Sequence, residues 1–315
     1  MVNITSAELQ KSATTYKKQL LMMPVIGASA TLQHMTAMPG VAGRVVLGEL
    51  SGDIELGPYD PSREDKTGVT ITPRVLETFL GSVIKKFDPN QVAKTVYGEL
   101  VAQGQSLVQA DIVRQVLVYL AAQLGQKLNM AIFSAKRKDD GTTTKDLFNG
   151  FDTITANEIA AGNIAAGKHN FMELGAVDKT NAVDILKSLY FGASDELQGQ
   201  SVKMFMPYNV YRNYCEDYQS TVGAVPYNQQ YKKTFLEGSD DLCELVPLVS
   251  KKGSEFIQLT TKGNMRYGYG AGLADENLDV EKHHPFLLDF VATMFFGAEY
   301  ETISPEKLMI GKLTL

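Results

Sequence analysis

SLVQADIVRQVLVYLAAQLGQKLNMAIFSAKR, residues 106–137, reads as one long helix. Ile112, Val116, Leu120, Leu124, Leu128 and Ile132 recur every four residues, with Val113, Leu117 and Ala131 beside them, which is the wide apolar stripe of an amphipathic helix. Ser106 followed by Gln109 fits a capping box, in which side chains satisfy the orphaned amides of the first turn. Lys136, Arg137 and Lys138 stand where cations complement the negative end of the helix dipole, and Asp139-Asp140-Gly141 breaks the run. At about 1.5 Å per residue such a helix is roughly 48 Å long. A compact domain seldom needs that length; a thin subunit spanning a sheet does. Its apolar face is expected to pack on residues 73 to 88 and 280 to 296.

The surroundings of this helix are those of an ordinary soluble chain. Its 315 residues can bury a full core, with 44% hydrophobic and 21% charged residues. Thirty Lys and Arg against thirty-six Asp and Glu leave a net charge of −6, so the chain as a whole has no pull on nucleic-acid phosphates and a sequence-specific DNA binder is not expected. LLMMPVIG, near the N-terminus, is too short and too interrupted by Pro24 for a signal or a membrane anchor. Cys215 and Cys243 are too few for a disulfide framework and read as reduced thiols.

Upstream, residues 1 to about 43 are poorly periodic and read as an arm, with Ala7 to Leu21 a short amphipathic helix. From Arg44 to Thr72 short alternating strands take over: Val45, Leu47 and Glu49 are expected to oppose Ile54 and Leu56 across Ser51-Gly52. Pro58, Asp60-Pro61 and the charged run Arg63-Glu64-Asp65-Lys66 then form a polar tip. Such a ribbon is marginal alone in water and must lie on a surface of its own or another subunit. RVLETFLGSVIKKF continues as an extended segment, and Asp88-Pro89-Asn90 opens a short helix to Leu100.

Downstream, LFNGFDTITANEIAAG reads as a loop and Asp184 to Phe191 as a helix. VKMFMP is a strand whose Pro207 suits the first turn of a helix bearing Tyr211, Tyr214, Cys215 and Tyr218 on one face. A meander follows: LCELVPLVS, SEFIQLTT and MRYGYG, separated by Lys251-Lys252-Gly253 and Lys262-Gly263-Asn264. PFLLDFVATMFF and LMIGKLTL close the chain as apolar strands.

Signals of chemistry are weak. Gly162 to Lys168 has the spacing of a phosphate-binding loop, but His169 stands where Ser or Thr should hold magnesium, and neither a feeding strand nor a capped helix flanks it. A nucleotide-binding enzyme built on Gly162–Lys168 is therefore the disfavoured alternative. Gly268, Gly270 and Gly272 read as a turn or a close backbone approach rather than a dinucleotide loop. His283-His284 beside Glu281 point to opposite faces of a strand and make a poor metal pair. The Tyr208 to Tyr218 stripe is core packing, since Glu216 and Asp217 repel nucleic acid. No catalytic residue, cofactor site or metal site is assigned.

The order of these phrases resembles a known family. The projecting hairpin, ITPRVLETFLGSVIKKFDP, the long helix, DLFNGFDTI, SVKMFMPYNVYRNY, TTKGNMRYGYG and PFLLDFVATMFFGAEYETISPEKLMIGKL are similar, in sequence order and spacing, to the major capsid proteins of tailed bacteriophages, with the Hong Kong 97-type α+β fold. The resemblance implies an N-terminal arm (1–43), an extended hairpin loop (44–72) and a peripheral domain (73–150) with the spine helix at 106–137. It further implies an axial domain (151–274) and return strands (275–315) that complete the peripheral domain, the C-terminal end lying on the axial domain. It implies a structural, non-enzymatic subunit that self-assembles into pentamers and hexamers of an icosahedral head around double-stranded DNA, without sequence specificity. Assembly would occur in the bacterial host cytoplasm, with a portal and a separate scaffolding protein as partners and no membrane contact. The alternative within the same fold is an encapsulin-like shell around cargo proteins. Arg63, Glu64, Asp65 and Lys66 are the expected intersubunit contacts.

Overall fold

In a computed structural model of the chain, which describes residues 23–51, 70–87, 109–223, 234–284 and 287–314, the elements fall into two sheets, a ribbon and a set of helices. The helices are α1 (Ser29–Leu32), α2 (Gln109–Ser134), α3 (Phe151–Ala160), α4 (Ala182–Phe191), α5 (Asp195–Gln198) and α6 (Tyr208–Val222). The strands are β1 (Thr36–Pro39), β2 (Arg44–Ser51), β3 (Thr70–Glu77), β4 (Phe79–Phe87), β5 (Phe171–Glu173), β6 (Val202–Pro207), β7 (Cys243–Leu248), β8 (Phe256–Thr261), β9 (Met265–Tyr269), β10 (Asn277–His284), β11 (Leu287–Tyr300) and β12 (Leu308–Lys312).

β11 is the axis of the first sheet. Its N-terminal part pairs antiparallel with β4 and with β10, its C-terminal part with β9, and β9 in turn takes β1 in parallel. The second sheet runs β5-β12-β8-β6-β7. Successive side chains of a strand point to opposite faces, and here both faces are buried. Val202, Met204, Cys243, Leu245, Ile257, Leu259 and Met309 meet α4 and α6 through Leu186, Leu189 and Tyr214. Phe205, Val246, Leu248, Phe256, Leu308 and Ile310 face the other way, into a core shared with α2, α3, β9 and β11. The second sheet is thus the partition between two cores.

The long helix spans 26 residues among those described, or about 39 Å. Ser106 lies outside the described residues, as do the arm before Met23, Ile54 and Leu56, and the segment 88–108. The C-terminal end is corrected: no basic residue lies in the last turn, and Lys136 to Lys138 follow the helix. The Lys136 amide is taken by the Lys145 carbonyl at 2.8 Å, so the return of the chain stops the helix before its dipole gains those cations. Ala131, Ile132, Phe133 and Ala135 are fully buried, packing against α3 and the turn at Val249–Lys251 rather than chiefly on residues 73–88 and 280–296. β4 and β11 face α2 across a hollow lined by Gly81, Val83, Leu124, Leu128, Ala292 and Met294.

Three further expectations change. Residues 151–160, read as loop, form α3, with Phe151, Ile154 and Thr155 buried. Gly150 caps it without a side chain, and tertiary bonds hold it: Thr153 Oγ1 donates to the Ala135 carbonyl at 2.6 Å, and the Thr155 and Tyr300 hydroxyls are 3.0 Å apart. β2 pairs with β3, Arg44 opposite Glu77 through Ser51 opposite Thr70, while Ile54 and Leu56, the expected partners across Ser51-Gly52, lie outside the described residues. A long connection is tolerated because closure entropy grows only slowly with loop length. The meander also fails: β7 pairs in parallel with β6, β8 lies between β6 and β12, and β9 leaves for the other sheet. Local turn signals at 251–253 and 262–264 are real, but pairing is decided by which faces are buried. Pro207, finally, is the N-cap of α6 rather than part of its first turn.

Candidate assembly surface

The ribbon β2–β3 is the element that most needs explaining, because a two-stranded sheet has no core of its own. One of its faces is seated on the body. Leu47 and Leu76 are buried there, and Arg74 reaches Glu158 on α3 and Glu299 on β11, at 2.8 Å each. Burial works to lower the Arg74 pKa, but the two carboxylates outweigh it and hold the guanidinium protonated. Burial likewise pushes the Glu299 carboxyl above the usual carboxylate range, and Arg74 only partly opposes this. Arg266 on β9, next to Glu299 in register, binds Glu301, so the row alternates in sign across the seat.

The seat itself is cut by glycine. Gly268 and Gly297 are register partners on β9 and β11. A Cβ on Gly297 would come within 2.0 Å of the Glu77 carbonyl, and one on Gly268 within 2.7 Å of Thr78 Cγ2. Their missing side chains open a notch through which the ribbon root passes. At its floor Thr78 pins the bend between β3 and β4: its amide donates to the Gly43 carbonyl at 2.7 Å and its hydroxyl accepts from the Gly43 amide at 2.9 Å. The close approach expected at Gly268 is present; Gly270 makes another, to the Glu276 carboxylate, which accepts the amides of Gly272 and Phe295.

The opposite face of the ribbon carries the exposed Arg44–Glu77 ion pair at its root and, beyond it, apolar side chains that no described residue covers. Val46 and Val75 are direct cross-strand partners, 66% and 41% exposed, with Pro73 exposed beside them. The outer face of β4 continues the theme with Leu80 at 46% and Ile84 at 65%, opposite Phe295 and Val291 on β11. Full burial of a Val, Leu or Ile side chain contributes about 1.5–3 kcal/mol, whereas an exposed ion pair contributes about 0–1 kcal/mol. Burying such side chains would therefore stabilise a contact more than exposed ion pairs would. Sequence reasoning missed Arg74, Thr78, Gly297 and this strip; Val46 and Val75 stand in plain alternation, but only the register shows that they meet.

Of the other sequence candidates, Arg63, Glu64, Asp65 and Lys66 lie outside the described residues. Gly162 to Lys168 follows the end of α3 with Gly162 at φ +72° and a single tight turn at Ala166–Lys168, so no strand feeds it and no helix dipole backs it. His283 and His284 are in strand β10, as expected. Cys243 is buried, and burial raises both its thiol and that of Cys215, so neither is activated. Among the described residues no cluster of His, Cys, Asp and Glu could hold a metal, and no helix is long and apolar enough to cross a membrane.

No family model matches the chain, and no curated protein matches it in sequence. Solved structures do. A chain of the satellite phage P4 procapsid, 12% identical, superposes with a TM-score of 0.58 over 94% of this chain and 99% of its own. The capsid of an empty GTA particle gives 0.55 at 13% identity over 91% and 90%, and the capsid of Myoviridae phage XM1 gives 0.53 at 13% over 90% and 92%. Both ends of the comparison are nearly complete, so the likeness is to the whole architecture and not to one shared layer. The chain has the α+β fold of the tailed-phage major capsid proteins, the Hong Kong 97-type fold.

Proposed function

We propose that this chain is the major structural subunit of an icosahedral phage head, self-assembling as pentamers and hexamers around double-stranded DNA. The observation that carries the reading is the strip of Val46, Pro73, Val75, Leu80 and Ile84, which no described part of the same chain covers and which a second copy would bury. The capsid fold supports it. In this reading residues 1–43 are an arm, 44–72 the extended loop, 73–150 the peripheral domain with its spine, 151–274 the axial domain and 275–315 the return strands. Arg63, Glu64, Asp65 and Lys66 at the loop tip add weaker polar contacts with a neighbour. A portal and a separate scaffolding protein are the further partners, the host cytoplasm is the place of assembly, and the mature location is the virion.

The test is Val46→Asp with Val75→Asp, beside charge reversal at the four tip positions. The apolar pair is expected to abolish particles while leaving the thermal unfolding of the subunit within a few degrees of wild type. The tip variant is expected to assemble in reduced yield. Normal particle yield from the Val46/Val75 variant would remove the strip from the interface. Particles filled with folded protein instead of DNA would move the chain to a cargo-enclosing shell of the same fold.

A further inference from the structure

Most cations in the described residues that approach the core have a carboxylate. Arg74, Arg266, Lys203 and Lys251 each pair with one or more. A group of lysines on one face does not. Lys136, just past the end of α2, Lys252, in the turn after β7, and Lys312, at the end of β12, line a common hollow of about 520 Å³ with Ser134, Asn157 and Ser254. None of the three forms an ion pair among the described residues, and Lys136 and Lys252 are exposed. Lys145, whose carbonyl accepts from the Lys136 amide, is exposed next to them.

Two carboxylates touch the same hollow, Asp152 and Glu255. Asp152 is turned inward: its Oδ1 lies 3.0 Å from the Lys251 Nζ, which sits over the Phe133 ring, and 2.8 Å from the Gln258 amide nitrogen. Its carboxylate is engaged by the fully buried Lys251, so of the two carboxylates in the hollow only Glu255 is left to face the three lysines Lys136, Lys252 and Lys312. A chain of net charge −6 thus carries a local cationic basin with hydroxyl and amide donors in its wall. No exposed aromatic side chain lines it, so there is no platform on which unstacked bases could lie. Point-charge lysines with short polar donors match phosphate oxygens of a duplex backbone, contacts that position without reading sequence.

We infer that the hollow between the end of α2, α3 and the turn after β7 is a contact site for the phosphate backbone of double-stranded nucleic acid, held by Lys136, Lys252 and Lys312. This rests on the shell reading for its biological setting but not for its test. Each neutralised phosphate contributes about 0.9 to the slope of log K against log salt concentration. The experiment is fluorescence anisotropy of a short labelled mixed-sequence DNA duplex with purified subunits across a salt series. The variants are Lys136→Glu/Lys252→Glu/Lys312→Glu and a control of equal charge, Lys168→Glu/Lys179→Glu/Lys262→Glu, at exposed lysines elsewhere. The site variant is expected to bind at least about tenfold more weakly at low salt, with the slope reduced by about 2–3, while the control loses far less. Equal losses in both would reduce the effect to net charge and overturn the site, as would wild-type binding by the site variant. A Lys→Gln version at the same three positions serves if the reversal impairs folding. Particle formation by the site variant, scored separately by microscopy, distinguishes failure of this site from failure of the shell reading.

Discussion

Glu299 holds its carboxyl above the ordinary range because burial costs the anion more than Arg74 returns. The sign of its linkage follows: the folded state binds the proton more tightly than the unfolded chain, so its contribution to stability is full below the ordinary carboxylate value and is lost as pH rises through the raised one. Glu299→Gln fixes the neutral form. Its melting temperature is therefore expected to match wild type in mild acid and to equal or exceed it at neutral pH, measured by thermal unfolding across that interval. A variant that is less stable at neutral pH than in acid, relative to wild type, would mean that the Arg74 pair outweighs the burial. Lys251 shows the converse case. Burial lowers its pKa against the pull of Asp152, and Asp152, Gln258 and the Phe133 face surround its fully buried nitrogen.

At the scale of elements, the ribbon owes its attitude to Arg74 and to the glycine notch. Arg74→Ala leaves Glu158 and Glu299 close together and without their shared cation, a change worth on the order of 3 kcal/mol for a largely buried pair. Hydrogen exchange should then speed in residues 70–77 while β6 and β8 keep their protection. Unchanged exchange at 70–77 would show that the notch alone seats the ribbon. Here the sequence is readable only in part. The four-residue recurrence of apolar residues locates α2, because a helix of that length presents its stripe regardless of partners. α3 is hidden by Thr153, Ile154 and Thr155, whose β-branches lower helix propensity, and its support comes from Ala135 and Tyr300, distant in sequence. The β7, β8 and β9 segments are legible as strands, but their partners are set by burial on two faces of a sheet that no local turn announces. The candidate site is the least legible part: Gly297 gains meaning only from its partner Gly268, and Val46 only from Val75.

The described molecule has two cores that share one sheet, and the long helix and β11 each contribute to one of them. Val46 and Val75 on the ribbon are exposed among the described residues, and in the proposed assembly a second copy would bury them. The proposed function requires that many copies close into a shell. Electron microscopy of the purified protein, alone and co-expressed with the proteins encoded beside it, tests this most directly. The expected result is closed icosahedral particles whose walls resolve into pentamers and hexamers with the ribbon of each subunit against a neighbour. Monomers alone under every condition would contradict it.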